Sequence, residues 1–113
     1  METVFQAIIE KRITAQILFE NRRVIAFYDR NPVQPGHFLV VPKIYSRNLI
    51  DIKDKELVYL IRIACKLARK VIKRLKVDGF QLHVNNEASS GQEVFHTHIH
   101  IIPSSSLRKD NVL

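Results

Sequence analysis

Apolar residues recur at spacings of three and four along two stretches of the chain, which is the spacing of one face of an α-helix. The longer stretch predicts a helix over about residues 53–75, whose apolar face contains Leu57, Leu60, Ile61, Ala64, Leu67, Ala68, Val71, Ile72 and Leu75. The shorter stretch, Glu2–Glu10, predicts a short helix because Val4, Phe5, Ile8 and Ile9 fall on one side. The pattern therefore predicts one long and one short helix.

The other apolar runs are short and rich in β-branched residues, which is typical of strands. Two of them flank the polar turn Asn21–Arg23 and predict a hairpin. We expect five strands in chain order: Ile17–Glu20, Val24–Tyr28, His37–Pro42, Phe80–Asn85 and Phe95–Pro103. The order α-β-β-β-α-β-β predicts an α+β fold with an antiparallel sheet, in a single domain spanning residues 1–113 with a short polar tail over 104–113.

Composition narrows the class of protein. Hydrophobic residues make up 46% of the chain and no run is long enough to cross a bilayer, so we expect a soluble globular protein without a membrane partner. The N-terminus lacks the basic and apolar regions of a secretory signal, which predicts a cytoplasmic location. The single cysteine, Cys65, excludes an internal disulfide and falls within the long helical pattern as a small apolar residue.

A net charge of +7 raises the hypothesis of a nucleic-acid partner. However, seven of the 18 basic residues follow one another in the long helical segment: Arg62, Lys66, Arg69, Lys70, Lys73, Arg74 and Lys76. Acidic residues stand at or before the start of that helix, an order that complements the helix dipole. The pattern favours a solvated helix face, and a polyanion-binding surface stays the minor alternative.

Three of the five histidines, His96, His98 and His100, alternate within the last apolar run. In an extended segment they share one face and the apolar residues share the other, so one face is expected to be core and the other a site. A purely structural role is disfavoured because adjacent imidazoles repel when charged and need partners when buried. A metal site is a second alternative, but its further donors would be only Glu87, Glu93 and the distant His37.

Nucleophilic catalysis at phosphorus is the favoured interpretation of this run. An imidazole is largely neutral at pH 7 and forms a phosphoramidate when one ring nitrogen is held as donor and the other is left as lone pair. The preceding segment, Ser89–Gln92, is small and can present backbone N–H groups to phosphoryl oxygens. Gly91 permits close approach of the backbone.

Two blocks of the sequence resemble the histidine triad family of nucleotide hydrolases and transferases. Gly91–Ile102 is similar to the family signature, H-x-H-x-H preceded by Gly-Gln and followed by two apolar residues. Phe27–Lys43 is similar in order and spacing to the family segment F-x-D-x-x-P-x-x-P-x-H. The resemblance covers nearly the whole chain, and it implies the histidine triad fold.

The resemblance also implies roles for individual residues. His98 would be the nucleophile that carries a nucleotidyl group until water removes it, with His96 holding its ring, His100 at the phosphate and His37 completing the cluster. The implied nucleotide-binding residues are Phe5 and Ile8 at the base, Asp29 with Arg30 at the ribose, Asn85 beside the phosphate, and the phosphate loop Gly91, Gln92, Glu93 and Val94. His83 matches no functional position, so a structural role is expected for it.

The implied activity is hydrolysis of purine nucleoside phosphoramidates or related nucleotidyl adducts by a homodimer without a cofactor. A dinucleoside polyphosphate hydrolase, a nucleotide-binding interaction protein without turnover and a deadenylase acting on nucleic-acid ends stay open as alternatives. Many members bind zinc at positions that are Thr3, Gln6 and Tyr45 here, so no metal is expected. Glu87 stands where the family usually has a glycine, and this departure bears on the conformation of the loop and on substrate preference.

Overall fold

A computed structural model of the chain describes residues 2–106. Helix α1 spans Val4–Ile9, helix α2 spans Asp54–Leu75, and the strands are β1 Ile17–Glu20, β2 Val24–Tyr28, β3 Phe38–Pro42, β4 Gly79–His83 and β5 Ile99–Ser104. Neighbouring strands are antiparallel, in the spatial order β1-β2-β3-β5-β4. The predicted α+β fold with a five-stranded antiparallel sheet, one long helix and one short helix is confirmed. Residues 107–113 of the predicted polar tail lie outside the described residues.

The two helices pack on different clusters of the sheet, because alternate strand residues point to opposite faces. On β3, Phe38 and Val40 join the apolar cluster of α2, whereas Leu39 and Val41 join that of α1. Every residue of β3 is buried, which explains why this strand is an unbroken apolar run in the sequence. The α1 face of the sheet carries the candidate site, and the α2 face is closed core.

The ends of the helices follow from local chemistry. Helix α1 begins after Thr3, whose side chain accepts a hydrogen bond from the Gln6 backbone N–H at 3.1 Å. Helix α2 has acidic residues in its first turn and basic residues in its last, and it ends at Lys76 in the left-handed conformation. The basic residues predicted to form its solvated face are all exposed. No helix within residues 2–106 is sufficiently long and apolar for a membrane span.

The prediction of a strand over Phe95–Pro103 is wrong in its first half. Strand β5 begins only at Ile99, so the first two histidines of the H-x-H-x-H run lie before the sheet. The Thr97 backbone N–H donates to the Ser46 carbonyl at 2.9 Å, and the hydroxyls of the two residues are also hydrogen-bonded. Because Ser46 belongs to the loop after β3, the segment before β5 is held by loop backbone and not by a strand.

Two site residues lie in loops where strands were predicted. Strand β3 begins at Phe38, because the His37 N–H donates to the Gln34 carbonyl at 3.1 Å and completes a turn. Strand β4 ends at His83, where its pairing with β5 ends opposite His100, so Asn85 follows in a loop. Both residues are therefore positioned by the chain that enters or leaves the sheet.

The backbone conformation of Gly36, in the turn before β3, leads to a prediction about stability, for which Gly79 is the control. Gly36 has φ +88°, and an added Cβ would lie 2.6 Å from Leu75 Cδ1, whereas a Cβ on Gly79 would meet only Ser104 Oγ at 3.4 Å. We expect Gly36→Ala to lower the free energy of unfolding by about 1–2 kcal/mol and Gly79→Ala to change it by less than about 0.5 kcal/mol. Urea denaturation of both variants measures the difference, and equal midpoints would contradict the strain argument.

Candidate active site

A cleft of about 850 Å³ opens on the α1 face of the sheet. Helix α1 contributes an apolar wall, the loop after β2 contributes a polar wall, and the loop before β5 closes the third side. Ten of the thirteen predicted site residues line this cleft: Phe5, Ile8, Asp29, Arg30, Asn85, Gly91, Glu93, Val94, His98 and His100. The structure thus brings together residues that are up to 95 positions apart, counted from Phe5 to His100. The other three, His37, His96 and Gln92, lie behind the walls.

The ring of His98 is held by its own backbone. Its Nδ1 lies 2.7 Å from the carbonyl oxygen of His96, and a carbonyl can only accept, so Nδ1 carries the proton and donates. Nε2 is then the deprotonated nitrogen, and within residues 2–106 it has no hydrogen-bond partner. The edge of the Phe5 ring packs against the imidazole with centroids 4.9 Å apart. His98 therefore offers a lone pair at the cleft.

A second chain of hydrogen bonds orients His100. The Val33 backbone N–H donates to His37 Nδ1 at 3.1 Å, so in neutral His37 the proton must be on Nε2. That Nε2–H donates to His100 Nδ1 at 3.0 Å, which places the remaining proton of neutral His100 on Nε2. His100 thus presents a donor to the cleft beside the lone pair of His98, and their ring centroids are 5.0 Å apart.

His96 lies behind His98 and ties α1 to the end of β3. Its Nε2 donates to the Pro42 carbonyl at 2.9 Å, which leaves Nδ1 to accept from the hydroxyl of Thr3 at 3.4 Å. The Tyr45 ring meets the imidazole edge-on with centroids 5.3 Å apart. The His96 ring is fully buried, and its carbonyl is the acceptor for His98. This histidine therefore supports the site from behind and does not reach the cleft.

Burial keeps the histidine cluster neutral. It lowers the pKa of His37, His96 and His98 below the ordinary value of 6.5, because a charged ring would lose its hydration. For His100, burial and then the neighbouring imidazoles, His98 first, lower the pKa to about 4. The Asp29 carboxylate, 3.5 Å from His37 Nε2, acts in the opposite direction on the pKa of His37 but is outweighed by burial.

The predicted phosphate loop is fastened to the segment after β3. Gln92 is buried: its Oε1 accepts from the Glu87 N–H and from Asn48 Nδ2, and its Nε2 donates to the carbonyls of Arg47 and Val94. This side chain has its hydrogen bonds inside the protein and is not brought to the cleft. The other three residues of the predicted phosphate loop, Gly91, Glu93 and Val94, do line the cavity.

Glu87 adopts φ +80° and ψ 158°, a conformation that is essentially restricted to glycine. Its carboxylate accepts from Arg47 Nε at 2.8 Å and from Asn48 Nδ2 at 2.7 Å. The loop therefore keeps a glycine-type backbone with glutamate in place, and the side-chain contacts oppose the strain. Gly91 has φ +91°, a backbone conformation that favours glycine, and a Cβ there would stand in ordinary contact with Asn85 Nδ2 at 3.7 Å.

Within residues 2–106, Asp29, His37 and His100 have ligand atoms within 4.8 Å of one another, close enough to surround one metal ion. Their chemistry does not fit that use well. His37 Nε2 carries a proton because the Val33 N–H occupies Nδ1, so His37 Nε2 has no lone pair to offer without losing that bond. The same atom already donates to His100 Nδ1. The trio is therefore best described as a hydrogen-bonded cluster.

His83 is the histidine that the sequence analysis set aside. It lies opposite His100 in the pairing of β4 and β5, and the two rings are stacked, with centroids 4.6 Å apart and planes at 22°. Knowledge of the strand register would have indicated that His83 belongs to the site. A residue of β4 that is paired with His100 must lie on the same face of the sheet as His100. Sequence spacing alone does not supply that register.

Neutral burial of the histidines predicts a pH dependence of stability. A folded-state pKa below 6.5 means that the unfolded chain binds protons first, so stability is highest above pH 6.5 and falls as the pH drops toward 4. We expect the free energy of unfolding to fall by about 2–3 kcal/mol between pH 6.5 and pH 4. Thermal or urea denaturation at a series of pH values measures this fall. His100→Asn should show a smaller fall, and an unchanged slope in that variant would contradict the assignment.

The strain at Glu87 predicts an unusual order of stability for two variants. Both Glu87→Gly and Glu87→Ala remove the contacts to Arg47 and Asn48, but only glycine relieves the backbone conformation. We expect the glycine variant to have the higher melting temperature, by several degrees, in a scan by circular dichroism. If the alanine variant melts at the same temperature or higher, the backbone there is not strained.

Comparison with known proteins agrees with this geometry. The HIT domain family matches residues 10–107 of the chain. A 13.1 kDa HIT-like protein of Mesomycoplasma hyorhinis is 51% identical over 102 residues, covering 90% of this chain and 92% of that one.

Two solved structures share the fold over most of the chain. A hypothetical histidine triad nucleotide-binding protein of Sulfolobus tokodaii superposes with a TM-score of 0.89 at 31% identity, covering 91% of this chain and 69% of that one. A HIT family hydrolase of Clostridium thermocellum superposes with a TM-score of 0.81 at 32% identity, covering 94% of this chain and 93% of that one. With the family match extending over most of its length, the chain belongs to the HIT family.

Proposed function

We propose that the protein hydrolyses purine nucleoside phosphoramidates or related nucleotidyl adducts through a covalent nucleotidyl-histidine on His98. The observation that carries the proposal is the hydrogen bond from His98 Nδ1 to the His96 carbonyl. It commits the ring proton to Nδ1 and leaves Nε2 with the lone pair that a nucleophile needs. The lowered pKa of His98 supports the same role, because the ring stays neutral near pH 7.

The cleft walls support a nucleotide as the substrate. Phe5 and Ile8 form an apolar surface of the size and chemistry that a purine base requires. The Asp29 carboxylate accepts one bond from the Asn31 N–H and has acceptor capacity left for ribose hydroxyls. Asn85 and Gly91 lie side by side and line the same cleft as His98, which suits them to contact the phosphate. The Sulfolobus tokodaii protein is named as nucleotide-binding, which supports this class of ligand.

In the first step, the His98 Nε2 lone pair attacks the α-phosphorus and forms a P–N bond. The bond between phosphorus and the leaving amine breaks, its electron pair stays with the amine, and a water molecule at the open side of the cleft supplies the proton that the amine takes. The His98 ring becomes an imidazolium, and the His96 carbonyl, which already accepts from Nδ1–H, is placed to stabilise the positive charge. The amine departs neutral, and hydroxide is left.

In the second step, that hydroxide attacks the phosphorus from the side that the amine has left. The bond from phosphorus to Nε2 breaks, and its electron pair returns to His98, which is neutral again. The product is the nucleoside monophosphate. In both steps His100 Nε2–H is the donor for a phosphoryl oxygen, because its Nδ1 is occupied by His37.

Hydrolysis is preferred to binding alone because the tautomers of His98 and His100 are complementary. A site that only ligated phosphate would favour two N–H donors facing it, whereas His98 presents a lone pair and His100 a donor. Likeness to the Clostridium thermocellum hydrolase also supports a hydrolytic role. One observation supports a second substrate class: exposed Arg30 stands beside Asp29 at the cleft, in a chain of net charge +7, which suits the four negative charges of a dinucleoside polyphosphate.

We also propose that two copies form a homodimer through the β4 side of the molecule. β4 is an edge strand, and an edge has unpaired backbone groups that another strand can satisfy. Helix α2 adds Ile61, Cys65 and Ile72, apolar side chains that are only partly buried in one copy. A pairing of this kind would cover them.

The proposed intermediate predicts a covalent adduct. When the protein is mixed with adenosine phosphoramidate and quenched within seconds, mass spectrometry should find an AMP group on the peptide that contains His98. In His98→Ala the adduct should be absent and turnover should fall by about a thousandfold or more, because the nucleophile is gone. Lys55→Ala is the control: it changes an exposed side chain of α2 that does not line the cleft, and it should retain both adduct and turnover.

The same experiment with diadenosine tetraphosphate separates the two substrate classes by their kcat/KM values. A protein that binds AMP but forms no adduct and turns over neither substrate would contradict the hydrolase proposal. That result would favour the alternative of a nucleotide-binding interaction protein without turnover. An adduct that persists in His98→Ala would contradict the choice of nucleophile.

A further inference from the structure

Strand register places a fourth imidazole in line with the site. Phe27, Leu39, His100 and His83 are paired across β2, β3, β5 and β4, so these four side chains form one row on the α1 face of the sheet. The row ends with His83 at the edge strand. There the His83 ring lies nearly parallel to that of His100, at a centroid distance of 4.6 Å.

His83 is exposed, although the strand that carries it packs Phe80 and Leu82 against the α2 core. Its ring therefore adds little to the burial that holds β4 in the sheet. Within residues 2–106, its described contact is the stack on His100. A residue that is dispensable for the core but flat against a site imidazole acts on that imidazole.

The His100 ring needs this support because its hydrogen bond constrains only one atom. His37 Nε2–H fixes the position of Nδ1, but the ring can still turn about that contact, and turning swings Nε2–H away from the cleft. On the other side, the His98 ring approaches at an interplanar angle of 60° and presents an edge. The His37 ring is tilted at 49° to that of His100, with centroids 5.3 Å apart, so among these ring contacts within residues 2–106 the His83 ring is the stacked one that opposes rotation.

We propose that His83 is a positioning residue, which fixes the plane of the His100 ring by stacking so that Nε2–H faces the phosphoryl group of the substrate. This inference rests on the proposed function for its catalytic consequence, but the orientation of His100 is a property of the free protein. The stack needs a flat ring and does not need a charge, because two neutral aromatic rings in offset contact attract each other. A phenyl ring at position 83 should therefore stack on His100 and hold its plane as the imidazole does.

The kinetic test compares three variants with the wild type on adenosine phosphoramidate. His83→Ala should lower kcat about tenfold and leave KM within about twofold, because the donor is misdirected mainly in the transition state. His83→Phe should recover kcat to within about threefold of the wild type. Arg22→Ala, an exposed residue of the turn between β1 and β2 at the opposite edge of the sheet, is the control and should behave as the wild type.

A double mutant asks whether His83 acts through His100. In a His100→Ala background, His83→Ala should cause no further loss of kcat, because the ring it positions is absent. Additive losses would overturn the proposal, and so would a His83→Phe variant that is as slow as His83→Ala. We expect His83→Ala to keep the melting temperature and the size-exclusion elution volume of the wild type, because the ring is exposed in one copy and the proposed pairing of β4 uses backbone groups.

A spectroscopic test does not depend on turnover. Nitrogen NMR of the histidine rings in the free protein should find a single Nε2–H tautomer for His100 in the wild type and in His83→Phe. His83→Ala should keep this tautomer, which the His37 hydrogen bond sets, but should broaden the His100 signals because the ring turns about that bond. If His100 is unchanged in His83→Ala, the positioning role is wrong, even where wild-type turnover supports the hydrolase. If the wild type and Arg22→Ala show no turnover at all, the proposed function fails, and the NMR result alone decides the positioning role.

Discussion

Burial of several imidazoles in one cluster is the constraint on which the site depends. A buried imidazole is stable only when it is neutral and its N–H has an acceptor, because an unsatisfied polar group or an unpaired charge is costly away from water. Each neutral ring has one donor and one acceptor nitrogen. Once one partner of a ring is a backbone group, the tautomer follows. The carbonyls of Pro42 and His96 and the N–H of Val33 are these backbone groups, so the main chain determines which nitrogens face the cleft.

The same constraint explains why the histidine run departs from a regular strand. In a sheet, the His96 carbonyl would be directed at a neighbouring strand, and it would not be available to the ring two residues later. Here the segment before β5 is held by Ser46 through Thr97, and the His96 carbonyl accepts from His98. The chain enters the sheet only at Ile99, after the hydrogen bonds of the two rings have been completed. The irregular backbone is therefore required by the site.

Sequence reasoning could predict the sheet, both helices and most of the cleft lining, because these follow from periodicity and from residues that resemble a known family. The spacing of apolar residues found α2 almost to its ends, since the helix is long and buries one continuous face. Three features could not be predicted from the sequence because they depend on contacts between distant parts of the chain. The strand start at Ile99 depends on a loop contact with Ser46, fifty-one residues before Thr97. The buried position of Gln92 depends on the loop of Asn48. The stack of His83 on His100 depends on the register of β4, which short edge strands specify weakly.

The electrostatics of the cluster favour an anionic electrophile. Burial that lowers the pKa of His98 opposes any positive charge on the ring, and this includes the imidazolium that forms when Nε2 attacks. A phosphoryl group brings negatively charged oxygens to the same point, so the adduct as a whole is close to neutral, and its charges are only a few ångströms apart in a medium where Coulomb attraction is strong. A carbonyl substrate would leave the imidazolium uncompensated once its tetrahedral anion collapsed. The environment that keeps the proposed nucleophile neutral would therefore also favour phosphorus over carbon as its target.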